Sequence, residues 1–227
     1  MGFTIGGIRE LRGGPRRRGR TAGCMLVAEF SGLWGWDVAP GARMLDGVCS
    51  CGSASCPEPG AHPLDAAPVV HAGASLDEVA DIWEDFPGAV AMLPSGGAFD
   101  VLEVGEAAGR RALTRLERMG LPLGPVAVTP GGRAQFFVAP GAAARLPDLL
   151  YRTGWDGTRL DLRGLGLGEH ITAPPYDRGG RGPVRWLRSP AVACTLRPPE
   201  ARLLLGTLAY VAHRMPLAAE QTPAAAV

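Results

Sequence analysis

The 227-residue chain has no Lys and no Asn, and all 23 of its basic residues are Arg. The missing Lys excludes several chemistries. A P-loop sets a Lys on the nucleotide phosphates. Schiff-base and pyridoxal enzymes need a Lys amine. Protein kinases use a strand Lys. Long apolar runs are also missing. None approaches the ~18 residues of a membrane span, so no membrane partner is expected. A strongly basic body is missing as well. Net charge is +1, and residues 1–20 hold six Arg against Glu10. The remaining residues carry 17 Arg against 21 acids, a balance of −4. Nucleic acid, if bound, has to meet a local patch. The Arg-rich start leads into Met25-Leu26-Val27, an apolar stretch too short for a secretion signal and broken by Glu29. A cytoplasmic protein is expected, whose five Cys are thiols or metal ligands rather than disulfides.

What is present suits a folded domain. The chain is 46% hydrophobic, with 33 Gly and 21 Pro as punctuation. Residues 1–20 are Gly/Arg-rich and aperiodic, so a disordered tail is expected there. A single domain is expected over 21–214, with a frayed tail at 215–227. Residues 22–35 suit a helix. Ser75 and Glu78 form a capping box that opens a helix to about Phe86, with Leu76, Val79, Ala80 and Trp83 inward. Residues 89–94 and 98–104 read as two strands around the turn Ser95-Gly96-Gly97. A helix at 106–119 turns Ala112, Leu113, Leu116 and Met119 inward and stops at Gly120. Residues 125–129 and 134–139 form another strand pair. A short helix is expected near 147–153, strands near 159–163, 169–173 and 183–187, and a last helix over 199–213. Strands in pairs between helices indicate α+β: a mainly antiparallel sheet flanked by helices.

Residues 47–63 form a Cys/Gly/Pro loop. It reads Cys49-Ser50-Cys51, then Cys56, then His62-Pro63. Three thiols and one imidazole supply the four ligands of a structural Cys₃His zinc site. The competing reading is a surface loop of free or redox-active thiols. Cys24 and Cys194 stand alone and are expected to be buried. Asp100 and Glu103 lie on one strand and face opposite sides. The same-face neighbour of Glu103 is Gly105. Asp161 is an acid in an apolar strand context. Such a carboxylate needs a metal or an Arg such as Arg133. Arg178, Arg181, Arg185 and Arg188 lie near Trp186, with no acid among residues 178–188. That pattern suits phosphate contacts with base stacking on a single strand. Alternatively, it is a solvated hairpin whose Trp186 packs inward.

Together these segments resemble the N-terminal domain of the bifunctional DNA primase/polymerases, from about residue 22 to 213. The Cys/His loop looks like the zinc insertion of actinobacterial members, and the absence of Lys and Asn fits a GC-rich genome. The strand Phe99–Val104 lies where the family has its paired metal acids. The segment Thr129–Phe137 lies at its Ser-x-His strand, and Asp161 at its third acid. Ala173-Pro174-Pro175 and Val184-Arg185-Trp186 match the stretch that follows. The resemblance implies DNA replication chemistry, namely template-directed nucleotidyl transfer with Mg²⁺ or Mn²⁺. It implies Glu103 and Asp161 as catalytic metal carriers, and Arg133 and Gln135 beside the nucleotide triphosphate. Two positions depart from the pattern. Gly105 replaces the second acid, and Gln135 replaces the triphosphate His. Three readings follow: a primase/polymerase with a degraded site, an inactive relative that binds DNA or nucleotide in a regulatory or accessory role, or a zinc-stabilised interaction module. No helicase module is legible, so a separate helicase partner is expected for the first.

Overall fold

The computed structural model describes residues 23–215. The tail expected at 1–20, and all but the first residue of the tail expected at 215–227, lie outside the described residues. The described residues begin with α1, helical over 23–28 and continuing as a π-helical turn at Glu29–Leu33. The short strands β1 (Ala39–Gly41), β2 (Met44–Leu45) and β3 (Val48–Cys49) follow. Next come α2 (Leu76–Asp85), β4 (Val90–Pro94), β5 (Asp100–Gly105), α3 (Glu106–Arg118), β6 (Val126–Val128) and β7 (Arg133–Val138). The chain continues with α4 (Leu146–Arg152), β8 (Leu162–Leu165), β9 (His170–Thr172), β10 (Arg185–Arg188), α5 (Val192–Thr195) and α6 (Ala201–Arg214).

The strands form a five-stranded sheet in the order β10-β6-β7-β5-β8, a three-stranded sheet β1-β4-β9 and the hairpin β2–β3. Their pairings are antiparallel, as expected for this α+β class. Side-chain alternation along β5 and β7 divides the large sheet between two cores. Val101 and Phe137 join Phe30, Trp36, Val79, Trp83 and Leu93 in the first core, which draws in α1, α2 and the small sheet. Leu102, Val104 and Phe136 join Leu113, Leu116, Leu204 and Leu208 of α3 and α6 in the second.

The helix signals act where the sequence puts them. Ser75 Oγ accepts from Glu78 N–H, and the Glu78 carboxylate accepts from Ser75 N–H, closing the capping box of α2. Val79 and Trp83 are buried, but Leu76 faces solvent. Gly120 takes φ +66° after α3, with Leu121 N–H on Leu116 O and Gly120 N–H on Glu117 O. Met119, expected inward, is exposed at the C-cap of α3.

Two further expectations need correction. The segments around Ser95-Gly96-Gly97 are both strands, but they do not pair with each other. β4 lies between β1 and β9, and β5 lies between β7 and β8. Every one of Val90–Leu93 is buried, as a central strand covered on both faces requires. The hairpin β2–β3 was not foreseen. Its turn is Asp46-Gly47, both at positive φ (48° and 82°), a familiar two-residue hairpin signal. Cys24 and Cys194 are half-exposed rather than buried.

Candidate functional site

β5 carries the centre of the site. Register places Gln135, Glu103 and Arg163 directly opposite one another across β7, β5 and β8. Ala127 and Trp186 continue the same row across β6 and β10. Glu103 is only 3% exposed, and both of its carboxylate oxygens are engaged. Oε2 accepts from Gln135 Nε2 at 2.8 Å. Oε1 accepts from Arg133 Nε at 3.1 Å and from Arg163 Nε at 2.9 Å. The amide donor of Gln135 is thus committed to Glu103, while its buried Oε1 has no partner among the described residues.

Gly105 organises the rest. Arg133 stands opposite Gly105 on β7, and Asp161 immediately precedes Leu162, which pairs with Val104 on the other side. A side chain at position 105 would begin 3.0 Å from Asp161 Oδ2 and 3.9 Å from Arg133 Nη1. With no side chain there, Arg133 and Asp161 meet across the intervening strand. Arg133 Nη1 lies 2.7 Å from Asp161 Oδ1 and 2.8 Å from Oδ2. Gly105 N–H also donates to Oδ2, at 3.1 Å. The Arg133 partner expected for Asp161 is present, but on a strand two away rather than on a neighbour.

This donor set does not fit the divalent ion that the resemblance implies. Mg²⁺ needs anchoring carboxylate oxygens. Two-metal transfer sets two ions roughly 3.5–4 Å apart between such groups. Here two carboxylates already face two guanidinium groups, those of Arg133 and Arg163. A divalent ion about 4 Å from one guanidinium is repelled by about 8 kcal/mol at an effective dielectric of about 20. The third carboxylate, which could have outweighed that repulsion, is absent at Gly105.

The Cys/His loop fits its metal well. One ligand atom from each of Cys49, Cys51, Cys56 and His62 lies within 4.8 Å of all the others. Hairpin β2–β3 delivers Cys49, and the turns beyond it fold the other three back. His62 Nδ1 donates to Pro63 O at 2.6 Å, which leaves Nε2 as the free ligand atom, 3.4 Å from Cys49 Sγ. Burial works against the Cys49 thiolate. The N–H groups of Cys51 and Gly60 and the His62 ring outweigh it and lower the thiol to about 6. Burial and the neighbouring thiols push Cys56 up to about 11. Burial opposes charging of His62, but Cys49 and the Pro63 carbonyl raise it on balance. Such an array could hold a metal ion such as Zn²⁺ through four protein ligands, the pattern of a structural site.

The arginines near β10 do not share one surface. Arg178 and the exposed Arg181 sit on a turn at 177–182. Arg178 Nη1 donates to Thr172 Oγ1 at 3.0 Å. A side chain on Gly182 would touch Pro130 Cβ at 3.9 Å, so this turn lies against the β6–β7 turn that leads into Arg133. Arg185 is exposed, while Arg188 pairs with Glu117 of α3 at 3.3 Å. Trp186 packs inward, its ring centroid 5.7 Å from Phe137 and 6.4 Å from Trp36. Its outer edge lines a cavity of about 390 Å³ with Trp34 and Arg185. Sequence reasoning missed Arg163. Its two-residue spacing from Asp161 on one strand was the available signal.

The family model for the N-terminal domain of bifunctional DNA primase/polymerases matches residues 29–201. No curated protein and no solved structure matches the chain. Among the described residues no helix is long and apolar enough to cross a membrane.

Proposed function

This chain belongs to the bifunctional DNA primase/polymerase family, and from that premise we propose that it is a binding member of it. It holds nucleotide or single-stranded nucleic acid in an accessory role and does not run two-metal nucleotidyl transfer. The observation that carries this reading is the Arg133 guanidinium, which bridges Glu103 and Asp161 over Gly105. Glu103 and Asp161 then serve as anchors of an ion-pair network rather than as metal carriers. The guanidinium groups of Arg133 and Arg163, together with Arg178 and Arg181 on the nearby turn, offer an anionic ligand the attraction that a metal offers elsewhere. The reduced Cys/His array suits the cytoplasm, where thiols persist.

Convergence of Glu103, Gln135 and Asp161 favours the second reading, template-directed nucleotide addition. Primer extension with Mg²⁺ and with Mn²⁺ separates the two. No product above an Asp161→Ala control, alongside measurable binding of a labelled oligonucleotide or nucleoside triphosphate, is the expected result. Product that depends on Asp161 overturns the binding-only reading. Absence of both product and binding leaves the zinc-stabilised interaction module.

A further inference from the structure

We infer that the Cys/His loop acts as a strut for the arginine turn, so that metal in the loop controls binding of single-stranded nucleic acid at Arg178 and Arg181. The inference rests on the binding role proposed above and adds its control. One residue joins the two features. Gly60 N–H donates to Cys49 Sγ at 3.3 Å, and Gly60 O accepts from Gly179 N–H at 3.1 Å. Gly60 has φ +65°, and a side chain there would begin 3.0 Å from Met44 N and 3.1 Å from Gly179 Cα. A side chain on Gly179 would begin 2.9 Å from Pro59 O. Two backbones are therefore in direct contact, with no side chain to cushion movement.

The turn itself is closed as a unit. Asp177 Oδ1 accepts from Gly180 N–H at 2.6 Å, and Oδ2 accepts from Gly182 N–H at 2.8 Å. Arg178 N–H donates to Gly182 O at 3.0 Å. A closed turn moves as one body, so its orientation depends on its outside attachments. Those include the Gly60 contact, the Met44 side chain against Gly180, the Thr172 bond and the Pro130 contact. Metal binding fixes Cys49 Sγ and with it the peptide of Gly60. Loss of metal frees Cys49, and with it the Gly60 peptide and the Met44 strand paired to Cys49, so the attachments on this side of the turn loosen together. Phosphate contacts by Arg are the sequence-independent part of single-strand binding, and they need their charges held in place.

The test uses the full chain. Zinc-loaded protein, chelator-stripped protein and protein resupplied with zinc are titrated against a labelled oligodeoxynucleotide by fluorescence anisotropy. Hydrogen exchange is followed in the 177–182 segment in parallel, and circular dichroism checks the fold. Stripping is expected to weaken binding about tenfold and to speed exchange at Gly179, both reversed by zinc. Gly60→Ala is expected to weaken binding of the loaded protein similarly. Arg181→Ala is expected to weaken it, to lower the salt slope by about 1 and to shrink the metal dependence. Equal binding with and without metal, while Arg181→Ala still weakens it, overturns the strut. No binding by the loaded protein overturns the proposed function instead. In that case unchanged exchange at Gly179 overturns the strut independently.

Discussion

The decisive residue is one that has no side chain. Gly105 has φ −56° and ψ 142°, a backbone that any residue adopts, so its importance lies in the empty space above it. Arg133 fills that space, touching both Glu103 and Asp161. Removing it as Arg133→Met leaves Asp161, among the described residues, with the Gly105 N–H alone and leaves buried Glu103 with one fewer cation. A loss of ~1–3 kcal/mol in urea denaturation is expected. Arg163→Met is the contrast. Its side chain is 60% exposed and bonds Glu103 alone, so a loss under ~1 kcal/mol is expected. The pair also predicts a gain. In G105D/R133S a new carboxylate starts beside Asp161 while the competing guanidinium leaves. Isothermal titration calorimetry should detect Mn²⁺ binding at this site in that variant, and none there in the parent. A parent that binds Mn²⁺ at the site equally well refutes the ion-pair account. That position 105 brings no carboxylate and position 135 no imidazole was legible in the sequence, and so was Arg133 as a partner for Asp161. The route was not, because sequence spacing does not show that Arg133 faces Gly105 and reaches Asp161 across β5.

At the scale of elements, local chemistry was legible wherever it was self-contained. The capping box at Ser75, the stop at Gly120 and the four Cys/His residues all lie within short stretches; the structure repeats the first two and brings the four side chains together. The Asp46-Gly47 turn is just as local, but its strands are only two residues each, too short to show an alternating pattern. The Cys/His loop carries a pH prediction. Ligand thiols must be deprotonated to bind metal. Cys49, at about 6, is already thiolate at neutral pH, whereas Cys56, at about 11, must give up a proton to bind. Zinc affinity should therefore rise with pH. It should fall away below pH 6, where Cys49 takes up its proton, and binding at neutral pH should release protons from the loop. Competition with a chromogenic chelator across pH reads this directly; a flat profile refutes it. In α3, Gly109 has no room for a side chain, because a Cβ there would run into Ala134 Cβ on β7. Helix propensity alone favours Ala by about 1 kcal/mol. Overpacking outweighs it, so Gly109→Ala should cost ~1–3 kcal/mol in urea denaturation.

At the scale of the molecule, strands were legible and their partners were not. Periodicity identifies β4 and β5 as strands, but a Gly-rich link of a few residues looks alike whether it closes a hairpin or carries the chain between sheets. Here it does the second. The β8–β9 link makes the same crossing between sheets, and the two crossings lock together. Ser95 Oγ donates to Gly166 O at 2.7 Å, and Ser95 N–H donates to Glu169 O at 2.9 Å. Glu169 Oε2 in turn accepts from Gly166 N–H at 2.8 Å. Gly96 takes φ +94°, and a Cβ there would begin 2.5 Å from Leu167 Cα and 2.6 Å from Leu167 N. Both obstacles are backbone, so no rotamer change relieves them. Gly96→Ala should therefore cost ~2–4 kcal/mol, combining a disfavoured φ with a main-chain clash. Ser95→Ala should cost ~1–2 kcal/mol, because it strips a buried hydrogen bond without moving the chain. Chemical denaturation of both variants reads the difference. If the link were an ordinary hairpin turn free of the β8–β9 crossing, the two substitutions would cost about the same, and that outcome would undo the interlocked arrangement.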